Sequence, residues 1–306
     1  MTASLAAIVA ADLARPLRAD AAAMAHEIAA RHGDAVAAVL FYGAGLRVES
    51  DPTAILDLYV LVDDERAVFR NAISATACRV LPPNVLFLPS NAPDNAGFKV
   101  AVISRRAFRA RLAPESRDTT LWARFCQPAR LAWARDDAAR AWAEDACAAA
   151  AATALHWAAR LGPETGTAQD YWRALFRATY AAELRVEGGG RADAIVGWAE
   201  DRYAALLAAS DAFVPEGDDI YRRRASAAEA ERAQAAWARR RRWGKALNAA
   251  RLIKAAFTFA GGGDYIAAKL ARHAGQPVEL GPWQRRHPLL AAPFVLAALR
   301  RKGIVR

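Results

Sequence analysis

Three short pieces of this chain carry residue types that can work on phosphate: the triplet Gly43-Ala44-Gly45, the acid Asp57 and the base Lys99. Glycine has no Cβ, so a Gly-Ala-Gly turn can bring backbone N–H groups up to a phosphate oxygen. Asp57 lies inside the apolar run ILDLYVLV, where a carboxylate is costly to bury unless a cation or hydrogen-bond donors meet it. Lys99 opens the apolar run KVAVIS; a lysine there either protects a sheet edge or clamps negative charge. Together these residues predict a site on the edge of a small sheet that holds Mg²⁺ and a nucleotide triphosphate. Asp57 is the expected metal ligand, because Mg²⁺ takes oxygen donors, keeps several waters and needs only one or two carboxylates. The ordinary alternatives are a plain turn at Gly43–Gly45 and an Asp57 on the solvent face, with Leu56 and Leu58 buried.

The elements that must position these residues are legible from pattern. Val36–Tyr42 and Ala54–Val62 are expected strands, rich in β-branched and aromatic residues and bounded by Gly, Pro and Asp. Val85–Leu88 and Lys99–Ser104 are two more, separated by the loop PSNAPDNAG, and Leu131–Ala134 is a fifth. Helix is expected over Ser4–Arg31 with a break near Pro16, and over Ala67–Ala77 after the acidic Asp63-Asp64-Glu65. Asp63 and Asp64, beyond the strand end, are expected to cap a turn or helix. After Asp137 every segment reads as helix: Ala138–Leu161, Asp170–Glu187, Arg191–Ala209 and Ala225–Phe259, punctuated by Gly162-Pro163, Gly188–Gly190 and Gly261–Gly263. The expected fold class is α+β, with a mixed-sheet domain over 1–137, an α-helical domain over 138–280 and a basic amphipathic tail over 281–306.

Composition narrows the function classes. Three cysteines, Cys78, Cys126 and Cys147, lack CxxC spacing, which argues for a reducing compartment and against structural zinc. Asp12, Asp20 and Glu27 interrupt any signal-like apolar region and count against a transit peptide. No apolar run reaches spanning length; Pro288–Leu299 is too short and contains Pro293. The five histidines have no partner pattern that implies a catalytic base or a metal site. Glu183 and Glu187 share a helix face and could supply a second carboxylate, although pairing with Arg177 and Arg185 is their ordinary role.

The net charge of +10 is uneven. From Arg232 onward 16 Lys and Arg stand against two acids, Asp264 and Glu279. Arg239–Arg242 lies between Trp237 and Trp243, and Lys245, Arg251 and Lys254 continue the patch. Trp283, the apolar Leu289–Leu299 and Arg300-Arg301-Lys302 complete the tail. Such segments bind anionic membrane surfaces, each basic residue near the surface contributing about 1 kcal/mol. An acidic phospholipid surface is therefore the expected partner. Nucleic acid is the other anionic possibility, and a solvated or core-packed helix the ordinary explanation.

The segments taken in order resemble the mitochondrial-type phosphatidate cytidylyltransferases, which make CDP-diacylglycerol on a nucleotidyltransferase fold. The similar pieces are YGAGL at Tyr42–Leu46, LDLYVLVDD at Leu56–Asp64, NVLFLP at Asn84–Pro89, FKVAVIS at Phe98–Ser104 and TLWARFCQPARLAW at Thr120–Trp133. The resemblance implies a nucleotidyltransferase-like sheet domain and Mg²⁺-dependent transfer of CMP from CTP to phosphatidic acid. It also implies a cytoplasmic enzyme, peripheral on the inner membrane face. Asp57 and Lys99 are then the catalytic residues, with Asp57 also the metal ligand. Gly43, Ala44, Gly45, Arg124 and Arg130 bind the nucleotide, arginine forks being suited to phosphate. The chain departs from the family pattern where Ala44 replaces the turn's serine and Tyr59 replaces the second acid of an Asp-x-Asp pair; of the family's His/Asn-rich helix only Asn71 is kept. A nucleotidyltransferase with another acceptor (small molecule, protein or RNA), or a binding module with eroded acids, are the alternatives.

Overall fold

The strand β1, Val36–Tyr42, is apolar apart from its final tyrosine hydroxyl, and all seven of its residues are buried, which places it inside a sheet. A computed structural model describes residues 3–47, 54–69, 71–90, 96–183, 190–258, 261–262, 265 and 281–286. It divides into two compact units, each assembled from separate segments of the chain.

The sheet unit comprises residues 17–105, 132–135 and 252–306. Its strands are β1, β2 (Ile55–Val62), β3 (Asn84–Pro89), β4 (Gly97–Ser104) and β5 (Ala129–Ala134), in the order β3-β4-β2-β1-β5. β1 and β2 are antiparallel, β2 and β4 parallel, and β3 and β4 antiparallel. A parallel pair needs a crossover, and the chain supplies it through α3 (Glu65–Val68), α4 (Ala72–Val80) and β3. Alternation along β2 sends Leu56, Leu58, Val60 and Val62 to one face. There they pack with Phe98, Val100 and Val102 against Ala21, Ala25 and Ile28 of α2 (Ala19–His32). Those three residues recur at helical spacing, so α2 presents a single small-residue stripe to the sheet. Asp57 and Tyr59 are left on the other face.

The helical unit comprises residues 1–16, 106–131 and 136–251. Its axis is α7 (Asp137–Leu161), whose alanines are mostly buried and let α1 (Leu5–Leu13), α6 (Thr120–Phe125) and α8 (Ala168–Ala182) approach closely. Between α5 (Arg105–Ala110) and α11 (Ala227–Thr258), the short helices α9 (Arg191–Trp198) and α10 (Glu200–Ala208) complete the helical set. Trp172, Phe176 and Tyr203 pack ring against ring in its core, and Trp237 packs its ring against those of Trp122 and Trp157.

The expectation of helix alone after Asp137 is corrected by a three-stranded sheet of β6 (Thr165–Thr167), β7 (Phe213–Gly217) and β8 (Ile220–Arg223), in the order β6-β8-β7. The β7–β8 hairpin turns through Asp218-Asp219, with Asp219 at φ 58°, a conformation that Asp tolerates better than most residues. Its short strands open on the apolar pairs Phe213-Val214 and Ile220-Tyr221 and lack the apolar alternation by which a strand is recognised. The helix expected over 67–77 is also split, because Asn71 caps a fresh start through its side chain on the Ile73 N–H. A short helix α12 spans Pro282–Arg286. Glu187 and the apolar run 289–299 lie outside the described residues, and no helix among the described residues is long and apolar enough to cross a membrane.

Candidate functional site

The register of the sheet places Asp57 opposite Tyr42 on β1 and opposite Lys99 on β4, and Lys99 opposite Phe87 on β3. Residues opposite one another share a face, so Tyr42, Asp57, Lys99 and Phe87 form one row across four strands. The Lys99 ammonium lies 4.0 Å from Asp57 Oδ1, with both side chains partly open to solvent. The Tyr42 hydroxyl, at 3.5 Å from the same oxygen, stands at the limit of a hydrogen bond. Tyr59, the next residue of β2 on that face, is buried edge-to-face against Tyr42 at 5.3 Å. It covers that part of the face with an aromatic ring.

Gly43 follows the row directly and has φ 88° and ψ −155°, a region essentially confined to glycine. A Cβ there would lie 3.1 Å from Asp57 Oδ2, so the backbone runs against the carboxylate. The turn then closes as the short helix Ala44–Leu46, in which the N–H groups of Leu46 and Arg47 donate to the Gly43 and Ala44 carbonyls. Those two donors are thereby taken. Ala44 is exposed, whereas Gly45 is buried, and a Cβ on it would strike Leu56 at 2.6 Å and Phe41 at 3.1 Å. Gly45 is thus required first for packing.

Tyr265 is the neighbour that sequence reasoning missed. Its ring packs edge-to-face on Phe87 at 5.8 Å. Burial, and then the Asp57 charge, push its phenol above the usual tyrosine range. Gly261, at φ 73°, brings the backbone so close to the Phe87 carbonyl that a Cβ would sit 2.4 Å from it. The only signal in the sequence was the run Gly261–Gly263 just before Tyr265, which marks a helix end without saying where the chain goes next.

The remaining candidates have separate duties. Asp63 accepts from Arg105 and Arg135; burial alone would raise its pKa, and those hydrogen bonds and charges bring it below the usual value. Asp64 caps α3 through the Arg66 N–H, the first cause of its lowered pKa, as expected of a cap. Arg124 belongs to the helical unit, and so does Arg130, in the first half of β5, where the division between the units crosses the strand. Arg130 donates to the carbonyls of Asp12 and Ala129, and burial lowers its pKa. Within the sheet unit Lys254 donates to the carbonyls of Leu81 and Pro83 and to Asn84 Oδ1. Within the helical unit Arg251 pairs with Asp118. Both are turned inward from the basic patch in which the sequence placed them. The cysteines are buried, and desolvation pushes Cys126 and Cys147 up to about 12, which makes those two poor nucleophiles.

No group of three or more His, Cys, Asp or Glu side chains able to hold a metal occurs among the described residues. Asp57 is one carboxylate, too few for a protein-only cage but enough for Mg²⁺ when phosphate oxygens complete the shell. No protein-family model and no curated protein matches the chain. The resemblance carried by five ordered segments therefore rests on those segments.

Proposed function

We propose that the sheet unit is the catalytic unit of a nucleotidyltransferase, with CTP as nucleotide and phosphatidic acid as acceptor. The observation that supports this reading is the single row joining Asp57 and Lys99, with Gly43 pressed against the carboxylate. Asp57 would hold Mg²⁺ together with triphosphate oxygens. Bound in that way, the ion supplies charge neutralisation on the phosphates during in-line displacement. Lys99 balances further triphosphate charge from the neighbouring strand, and Gly43 gives the phosphates room to approach backbone donors at Ala44 and Gly45. An oxygen of the acceptor phosphate attacks the α-phosphorus, the bond to the β-phosphate oxygen breaks, and pyrophosphate leaves. The protein's own work is positioning and electrostatics. The reaction product is a lipid, and the proposed setting is the cytoplasmic face of a membrane.

A second reading has its own observation: Tyr59 fills the position next to the lone carboxylate, as in a nucleotide-binding module that has lost turnover. The deciding experiment incubates the purified chain with each α-labelled nucleoside triphosphate, Mg²⁺ and phosphatidate vesicles, followed by lipid extraction. Label from CTP alone in the lipid phase supports the first reading. Label in a different acceptor keeps the chemistry and changes the substrate. Nucleotide binding without any incorporation supports the second reading.

A further inference from the structure

The helical unit has a cavity of about 460 Å³ lined by Arg117, Arg239, Arg240, Arg242, Trp243 and Glu115, among others. Four guanidiniums thus face one carboxylate. Elsewhere in this unit arginines are matched to acids: Arg109 to Asp145, Arg160 to Glu229, Arg202 to Asp12, and Arg111 and Arg251 to Asp118. Among the described residues Arg117, Arg239 and Arg242 make no ion pair, and all three are exposed. Arg240 is different, being held by the protein itself. It stacks 4.2 Å from the centre of the Trp157 ring and donates to the Ser116 and Pro114 carbonyls. Burial, followed by the charges of Arg239 and Arg117, lowers its pKa, and the Glu115 charge offsets only part of that, as expected where like charges converge.

Trp243 stands at this cavity with about half of its surface exposed (49%). A surface tryptophan beside arginines suits the boundary between headgroup and acyl chain, because its ring is apolar and its N–H polar. The volume is that of a small-molecule pocket, large enough for a phosphate on a glycerol unit. We infer that this cavity is a headgroup pocket for an acidic phospholipid, in which Arg117, Arg239 and Arg242 grip the phosphate and Trp243 enters the interfacial layer. The inference rests on the proposed membrane setting and adds a hold on the acidic lipid surface, yet it needs no nucleotide chemistry to be tested.

The test is co-sedimentation of the full chain, without nucleotide, with vesicles of phosphatidylcholine alone or containing one fifth phosphatidic acid or phosphatidylglycerol. Binding is expected to the acidic vesicles, stronger with the phosphomonoester, and an excess of glycerol 3-phosphate should compete. The double variant R239Q/R242Q should lose about thirtyfold in partitioning, the fold-change expected for removing two basic residues from an anionic surface. W243A should lose binding also when phosphatidic acid content is raised. The control R241Q/K245Q removes two exposed charges from a different face of the same helix. It should lose clearly less, and circular dichroism should show all three variants folded. Equal losses in the two double variants would mean a diffuse basic surface and overturn the pocket. Binding of single-stranded RNA in place of vesicles would overturn it too. Vesicle binding that survives while no nucleotide is ever transferred would leave the pocket standing and sink the enzymatic reading alone.

Discussion

Asp57→Asn separates the structural and chemical roles of the central acid because the change preserves side-chain volume. Its folded-state partners are few and weak: a Lys99 ammonium at 4.0 Å and a Tyr42 hydroxyl at 3.5 Å, with a quarter of the side chain (26%) open to solvent. Partly exposed ion pairs contribute about 0.2–1 kcal/mol, which corresponds to a melting shift of roughly 2–4 °C at most in a chain of this size. If Asp57 fixes the cation on the triphosphate, its removal should lower turnover by at least about a hundredfold, the scale on which lost electrostatic stabilisation is felt. The assay pairs thermal unfolding by circular dichroism with nucleotide transfer under single-turnover conditions. A third readout checks the geometry independently of activity. The Asp57 charge raises the Tyr265 phenol pKa, so the variant should ionise a tyrosine at lower pH, seen as a difference between absorbance titrations that vanishes in Tyr265→Phe. Turnover within about threefold of the parent would refute the metal assignment. A melting drop above about 10 °C would show that Asp57 carries far more of the fold than its weak partners allow.

Lys99→Ala should weaken triphosphate binding about 10–100-fold, the range for losing a charged hydrogen bond, with little change in melting; calorimetric titration at fixed Mg²⁺ would check this, and unchanged affinity would return Lys99 to edge protection. Gly43→Ala should cost about 1–3 kcal/mol through backbone strain at φ 88°, and should also impair the site because the new methyl meets Asp57 Oδ2 at 3.1 Å; urea unfolding and nucleotide affinity report the two effects separately. Asp118 is a buried acid whose pKa burial would raise, but the Arg251 charge and the Arg251 and Thr120 hydrogen bonds lower it overall. A carboxyl depressed on folding stabilises above its unfolded value, about 3.9, and loses that contribution as pH falls through the folded value. Asp118→Asn should therefore cost about 3–5 kcal/mol near neutrality and flatten the fall in stability below about pH 4, measured as urea midpoints across pH.

The strands that hold the site were legible because each is a short apolar run between turn residues: Val36–Tyr42 was expected and found with those bounds, and the other four differ by a few residues at their ends. Asp57 and Lys99 were legible for a related reason, since a charge inside such a run is conspicuous wherever the run is placed. That they are neighbours was decided by the parallel pairing of β2 with β4, a contact between distant segments whose register follows from burying Leu56, Leu58 and Val60 on α2. Local pattern carries no information on that pairing. The same limit hid Tyr265, brought beside Phe87 from far along the chain. It also hid the inward turns of Arg251 and Lys254, whose charges look alike in sequence to those of Arg239 and Arg242. Sequence determines which residues prefer strand or helix and where charge is plentiful. Only tertiary packing decides which of those charges are satisfied internally and which remain for a ligand, because that depends on acids and carbonyls contributed by other segments.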